Sequence, residues 1–175
     1  MSPLVHTVHP SPIGELLLIG DGRTLRGLYM PPHRHMPEPS PDARRDDLAH
    51  AAVRERLAAY FAGEPEAFAG LVLDPTGTPF QHRVWAALRA IPFGETRSYG
   101  ELAAALGSPG AARAVGLANG RNPISIVVPC HRVVGADGSL TGYGGGTERK
   151  AALLAHERQV AQPRLWDPSR VPMEV

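Results

Sequence analysis

The stretch RSYGELAAALGSPGAARAVGLANG, residues 97–120, constrains the fold more than any other part of the chain. It is rich in helix formers yet cut by helix stops, so it cannot be one long helix. Ser98 with Glu101 three residues on makes a capping box, in which each side chain satisfies the other residue's free backbone N–H. That helix is expected to run to about Leu106 and to end at Gly107, which adopts left-handed backbone without steric cost. Ser108 is placed to cap a second helix with Pro109 at its first position, and Gly120 closes it. Two short helices across a tight glycine turn form a helix-turn-helix, a motif that is often merely structural. The second helix is built from Gly110, Ala111, Ala112, Ala114, Gly116 and Ala118, with Arg113 as its exceptional long polar residue. A helix that reads base edges carries several long polar side chains. This slender one suits close backbone approach to a sugar–phosphate wall in a minor groove, with Arg113 as the single probe. The alternative is an alanine-rich helix packed in the core, with Arg113 in solvent.

The rest of the chain arranges itself around this motif. Val5 to Met30 reads as strands joined by turns, with a hairpin at Gly20-Asp21-Gly22. Pro31 to Pro41 holds too much proline for regular structure and reads as a loop. Asp46 to Ala62 has helical periodicity, with Val53, Leu57, Tyr60 and Phe61 on one face, and FAGLVLD reads as a further strand. The sequence PTGTP, residues 75–79, marks a boundary. Phe80 to Ile91 reads as a helix with Phe80, Val84, Leu88 and Ile91 along one stripe. Ile124 to Val128 fits a short buried strand, and the turn at GADGS suggests a small hairpin from Arg132 to Leu140. Thr147 to Gln159 is the last helix, with Thr147 placed to cap it. The expected class is α/β (α+β). Residues 1–75 form a small antiparallel sheet with a helix, and 76–160 form a helical domain with the helix-turn-helix. Residues 161–175 are expected to be a poorly ordered tail.

The chain has one cysteine, Cys130, in VVPCHRVV. A lone cysteine is by default a small buried hydrophobe. Its neighbours change that reading: thiolate is favoured by nearby positive charge or a base, and His131 and Arg132 follow directly. Pro129 pushes Val128 into an extended shape, which ends the strand and leaves the next side chain facing a pocket. Adjacent residues of an extended chain point to opposite faces, so His131 reaches the thiol only if the backbone turns or a water bridges them. No papain-like signature surrounds Cys130, which argues against a thiol hydrolase. TGYGGG, residues 141–146, lacks the strand-to-helix frame and terminal Lys-Ser/Thr of a nucleotide-cradling loop, so it reads as a flexible loop holding Tyr143.

One cysteine excludes an internal disulfide and a multi-cysteine zinc site, and a free thiol fits a reducing compartment. His33 and His35 have no other candidate ligands beside them, so no metal is expected. The first ten residues lack the apolar core of a signal peptide, and no stretch has the length of a membrane span. The expected location is the cytoplasm. Net charge is +1 overall, but residues 1–79 hold 7 Arg against 10 Asp/Glu while residues 80–160 hold 9 Lys/Arg against 5 Asp/Glu. Any meeting with nucleic acid therefore falls to the second half, although ordinary scatter of surface charge gives an asymmetry of this size as readily.

GTPFQHRVWAALRAIPFGETRSYGELA, AARAVG, NP, VVPCHRVVGADGSLTGYGGG and LLAHE closely resemble the O6-alkylguanine-DNA alkyltransferases, from about Thr76 to Glu157. The first half resembles them only in its layout, a ribonuclease H-like sheet with a helix; the second half is winged-helix-like. The resemblance implies direct DNA repair. A monomer binds duplex DNA through the minor groove, flips out an O6-alkylguanine and moves the alkyl group to Cys130, with O4-alkylthymine as a weaker substrate. It implies His131 as the base acting through a water, Glu157 as the acid that orients it, and Arg113 as the finger filling the vacated stack. Tyr99 contacts the backbone and the guanine, Asn122 holds the loop before the active site, and Tyr143 walls the alkyl pocket. Gln81, Gly100 and Ser108 fall at DNA-contacting positions. No cofactor is implied. An S-alkylcysteine is a thioether with no leaving group to hydrolyse, so the protein is consumed after one event. Some family members bind zinc in the N-terminal half through cysteine; this half has none. Ala136 offers only backbone to DNA, and Gly144 and Gly145 leave the pocket edge small, open to bulkier alkyl groups. The alternative is a sensor or regulator that binds alkylated DNA without transfer.

Overall fold

The computed structural model describes residues 3–38 and 40–161. In β1 (Val5–Ser11) and β2 (Gly14–Gly20) the buried residues alternate, Val5 and Thr7 on one strand, Leu16 and Leu18 on the other. This is the period of a sheet covered on one face. The two strands are antiparallel, with Val5 opposite Gly20 and Ser11 opposite Gly14. The expected hairpin then leads to β3 (Leu25–Tyr29); in its turn the Asp21 carboxylate accepts from the backbone of Arg23 and Thr24. A strand not read from the sequence, β4 (Arg44–Arg45), joins β1 in parallel, so the order is β3-β2-β1-β4 and the sheet is not antiparallel throughout.

Helix α1 (Ala51–Phe61) buries Val53, Leu57 and Tyr60. It starts later than the expected Asp46, because the Asp46 carboxylate accepts from the Leu48 N–H and closes a turn before the helix, a competition with the helix that short polar side chains commonly win. The expected strand over FAGLVLD does not form. Residues 66–70 are turns, and only Leu73 bridges Leu25, through Leu25 N–H to Val72 O and Asp74 N–H to Leu25 O.

The second half begins with α2 (Pro79–Arg89), capped by Thr78 and Gln81 in a reciprocal box that the sequence reading passed over. Next come β5 (Arg97–Ser98) and α3 (Tyr99–Ala105), with the expected Ser98–Glu101 box. Ser108 does not cap the following helix. Its N–H bonds back to Ala103 O, and Gly107 N–H to Ala104 O, so it completes the C-terminal lock of α3, the paired bonding that a left-handed glycine allows. Pro109 and Gly110 lie in the turn, and α4 (Ala112–Gly120) starts at Ala112 with no side-chain cap.

The expected hairpin at GADGS keeps its turn, with Gly138 N–H to Gly135 O and Gly135 N–H to Ser139 O, but the chain beyond it forms no strand. β6 (Val133–Val134) pairs in parallel with β5 instead. Helix α5 (Thr147–Ala161) has Thr147 inside its first turn, and the Gly146 carbonyl accepts from Lys150 N–H. The tail expected from residue 161 lies outside the described residues apart from Ala161, which ends α5.

The two halves share hydrogen bonds where it matters for the site. The free edge of β3 pairs with the segment before Cys130, through Leu28 N–H to Pro123 O and Ser125 N–H to Leu28 O. Arg149 on α5 donates to the carbonyls of Ile13, Met30 and Pro31 at 3.2, 2.9 and 2.8 Å. Among the described residues no helix is long and apolar enough to cross a membrane.

Candidate active site

Residues 124–128 are buried, as expected, but they are not a strand. Ile126 has φ of 71° and Val127 N–H returns to Ser125 O, so the chain folds back on itself. A buried loop must satisfy its own backbone polar groups. Asn122 does much of this: its Oδ1 accepts from Ile124 N–H at 3.0 Å and its amide donates to Val128 O at 2.8 Å. The same amide reaches Cys130 Sγ at 3.1 Å. Asn119, on α4, donates to the Cys130 carbonyl.

After Pro129 the backbone winds into a 3₁₀ turn, Cys130–Arg132. This answers the objection that neighbours on a strand face apart. Cys130, His131 and Arg132 are all buried. Burial pushes the Cys130 thiol up from its ordinary value, against the pull of the Asn122 amide and the Lys150 charge. The thiol is therefore protonated at neutral pH and needs a base to become a nucleophile.

His131 and Glu157 are both fully buried, and His131 Nε2 lies 2.6 Å from Glu157 Oε1. Burial lowers the His131 pKa, opposed by the Glu157 carboxylate and reinforced by Arg132 and Lys150. A neutral ring then donates its Nε2 proton to the carboxylate, which leaves Nδ1 as an acceptor. Nδ1 is buried and has no hydrogen-bond partner among the described residues. Burial would raise the Glu157 carboxyl, but the hydrogen bonds and charges of His131 and Arg132 outweigh it and hold it well below the usual carboxylate range. Arg132 grips Glu157 from the side, Nε to Oε2 at 2.9 Å and Nη2 to Oε1 at 3.0 Å, and its remaining nitrogen donates to Ile91 O. The partial negative charge at Ile91 O and the face of the Phe93 ring, with its centroid 5.7 Å from the guanidinium carbon, complete its cradle.

The other expected residues lie in two groups. Tyr99, at the start of α3, donates to Thr141 O at 3.1 Å and packs its ring on Gly116 of α4. Tyr143 is buried, and its hydroxyl lies beside the Cys130 thiol. Lys150 is fully buried and donates to Thr141 O, so it ties α5 to the loop that carries Tyr143. Arg113 stands exposed on α4 beside Ala114 and Leu117, the latter 69% exposed. Gly100 is exposed at the start of α3, and Ser108 is half-buried beyond its end. Gln81 is engaged in its capping box at the start of α2.

Three groups at the site were not read from the sequence. Tyr60, Arg149 and the carboxylate partner of Arg132 are the three: these contacts lie far along the chain, so no local spacing announces them, and Arg132, read as a charge beside the thiol, is engaged with Glu157 instead. The Pro31–Pro41 loop also gains a place. Arg34 N–H donates to Gly144 O, and the His33 ring lies over Gly144, where any Cβ would collide with it.

A protonated thiol with a carboxylate-held imidazole next in the chain is equipped for covalent chemistry through cysteine, and the exposed helix-turn-helix sets it among proteins that handle nucleic acid. Residues 4–75 match the family model of the 6-O-methylguanine DNA methyltransferase ribonuclease-like domain, and residues 79–159 match that of its DNA binding domain. The chain belongs to the 6-O-methylguanine DNA methyltransferase family. It is 57% identical to the methylated-DNA–protein-cysteine methyltransferase of Mycolicibacterium paratuberculosis over 85% of this chain and 89% of that protein. It is 48% identical to the protein of the same name from Methanosarcina acetivorans, over 88% of this chain and 98% of that one. The crystal structure of Mycobacterium tuberculosis OGT in complex with DNA matches with a TM-score of 0.83 at 52% identity, covering 91% of this chain and 96% of that one.

Proposed function

We propose that this chain repairs alkylated DNA directly, moving the alkyl group from O6-alkylguanine in a duplex onto Cys130. The observation that carries the reading is the buried Cys130–His131–Glu157 group, whose one free ring nitrogen is the acceptor a thiol proton needs. The relatives are named as methyltransferases of methylated DNA onto protein cysteine, which is the same chemistry.

The helix-turn-helix brings α4 to the minor groove. Its small residues allow close approach, and Arg113 takes the place of the guanine as it leaves the stack, since O6 cannot enter a pocket from within the duplex. Tyr99, Gly100, Ser108 and Gln81 sit along the DNA side. The flipped base enters beside Tyr143 and the Asn122-held loop. Through a bridging water, His131 Nδ1 takes the Cys130 proton, and the resulting imidazolium is stabilised by Glu157. The thiolate attacks the alkyl carbon. A C–S bond forms, the C–O6 bond breaks, and its electron pair stays with the guanine, which Tyr99 helps to stabilise by a hydrogen bond. The product is a thioether, so each molecule acts once. We assign residues 1–75 to support and 76–160 to DNA binding and transfer, in a monomer working in the cytoplasm.

Intact-protein mass after mixing with a duplex holding one O6-methylguanine tests this. The expected result is a single methyl-sized gain on Cys130 that saturates at one per molecule, and none in Cys130→Ala. Damage-selective binding with no gain overturns the transferase reading.

A further inference from the structure

Glu157 is held by more than a histidine-orienting carboxylate requires. Besides His131 and Arg132, it accepts from Gly94 N–H at 3.1 Å and from the Tyr60 hydroxyl at 2.7 Å. Tyr60 belongs to α1, in the N-terminal half, and is 97 residues from its partner. Its phenol is 1% exposed and Glu157 is not exposed at all. The ring is fixed by a stacked Phe68, edge contacts to Phe61 and Phe93, and a tilted His156, whose Nε2 lies 2.8 Å from Tyr60 O. A phenol clamped this firmly cannot swing away from the carboxylate.

Tyr60 and His131 share one oxygen, Glu157 Oε1. Each donor on that oxygen draws off charge that would otherwise attract the imidazole proton. We propose that Tyr60 is a positioning residue that, through Glu157, sets how readily His131 takes the proton of Cys130. This rests on the reading of Cys130 as the alkyl acceptor and His131 as its base. It also gives the N-terminal half a part in the chemistry, by supplying a donor that limits the carboxylate's pull.

The sign follows from the geometry. Without the phenol, Oε1 holds more negative charge and favours the imidazolium. His131 is then already protonated over a wider pH range and unable to act as base there. The neighbouring charged and titratable groups stay in place: Arg132 on the 3₁₀ turn, Lys150 and His156 on α5, Tyr143 on the glycine loop, and the Cys130 thiol itself. Burial and the carboxylate raise the phenol, so it remains a donor throughout.

The test is the single-turnover rate of methyl transfer from an O6-methylguanine duplex, with protein in excess, from pH 5 to 8. In Tyr60→Phe the acid limb is expected to move up by about half a pH unit, a roughly threefold loss of rate below the midpoint, with the high-pH plateau nearly unchanged. Replacing Tyr60 with 3-fluorotyrosine, a more acidic phenol and a better donor, should move the limb down, and it keeps the test open if the Phe variant folds poorly. Leu57→Ala loosens the same helix while leaving the phenol in place, and its limb should stay with the wild type. An unmoved limb in Tyr60→Phe and the fluorotyrosine protein, or an equal shift in Leu57→Ala, overturns the inference. A wild-type protein that gains no methyl on Cys130 instead overturns the reading beneath it, and the two failures are distinct.

Discussion

The Cys130 loop and the Arg113 helix are neighbours in the fold and opposites in construction. In the loop the charged and amide groups are held within the protein: Asn122 bonds to Ile124, Val128 and the thiol, while Glu157 gathers Tyr60, Gly94, His131 and Arg132. On α4 the outward face is bare, with an exposed Arg113, an exposed Leu117 and no side-chain cap at its start. Chemistry on a buried thiol needs charges fixed in advance, because reorganising them during reaction would add to the barrier. Meeting a duplex needs the reverse, donors and apolar surface whose partners arrive with the ligand. One region stores its interactions within the protein, and the other leaves them to be made.

That contrast can be broken most forcefully at Arg132. Arg132→Met leaves the Glu157 carboxylate buried without its fixed positive partner. The expected loss of stability is about 3–5 kcal/mol by urea unfolding, with transfer reduced in step. A loss under about 1 kcal/mol would mean the cluster is far less tightly organised than its distances imply.

Arg113→Ala probes the other side. Its unfolding midpoint should match the wild type, because the side chain is exposed and bonds to nothing among the described residues. Transfer from a duplex should fall on the order of 10²-fold, as misplacement of a flipped base would cause. Transfer from free O6-benzylguanine, which needs no flipping, should be unchanged. Equal losses on both substrates would merge the two regions into one.

The smallest effect is in the response of stability to acid. His131, His50 and His33 are held neutral, chiefly by burial, and His33 is lowered to about 4. The unfolded chain takes up protons at these histidines as the pH falls through about 6.5, while the native protein does not. Their contribution to stability is therefore full above that value and lost as the pH falls below it. Glu157, with its depressed pKa, adds a second loss that begins at the ordinary carboxylate range and continues below it. Urea midpoints at pH 7.5, 6 and 5 should fall in that order, and Arg113→Ala should run parallel to the wild type. A flat profile would contradict the buried neutral histidines.

Much of this was readable from the chain. The capping box at Ser98 and Glu101, the stop at Gly107 and the apolar stripes of α1 and α2 are local signals, and local signals decide local structure. The resemblance carried by PCHRV and LLAHE brought Cys130, His131 and Glu157 onto one list, and the structure brings His131 and Glu157 into contact. The errors came where distant partners overrode near ones. Ile124 to Val128 has a strand's composition, yet its backbone bonds go to Leu28 and to itself. Ser108 has a capping residue's chemistry, but the lock of α3 claims it first. Tyr60 looked like one more core aromatic, because nothing within ten residues reveals the carboxylate at the other end of its hydroxyl.

The contact of His33 with Gly144 has a bearing on how such a pocket can change. A side chain at residue 144 needs the space the imidazole fills, so that position is closed to variation while His33 stays where it is. The two residues lie in different halves of the chain, so a side chain at 144 requires the His33 ring to move or to be replaced. A library that varies residue 144 alone asks the imidazole to give way in every member. Varied together with position 33, residue 144 gains the space that the imidazole now fills, and two distant parts of the sequence become one site of variation.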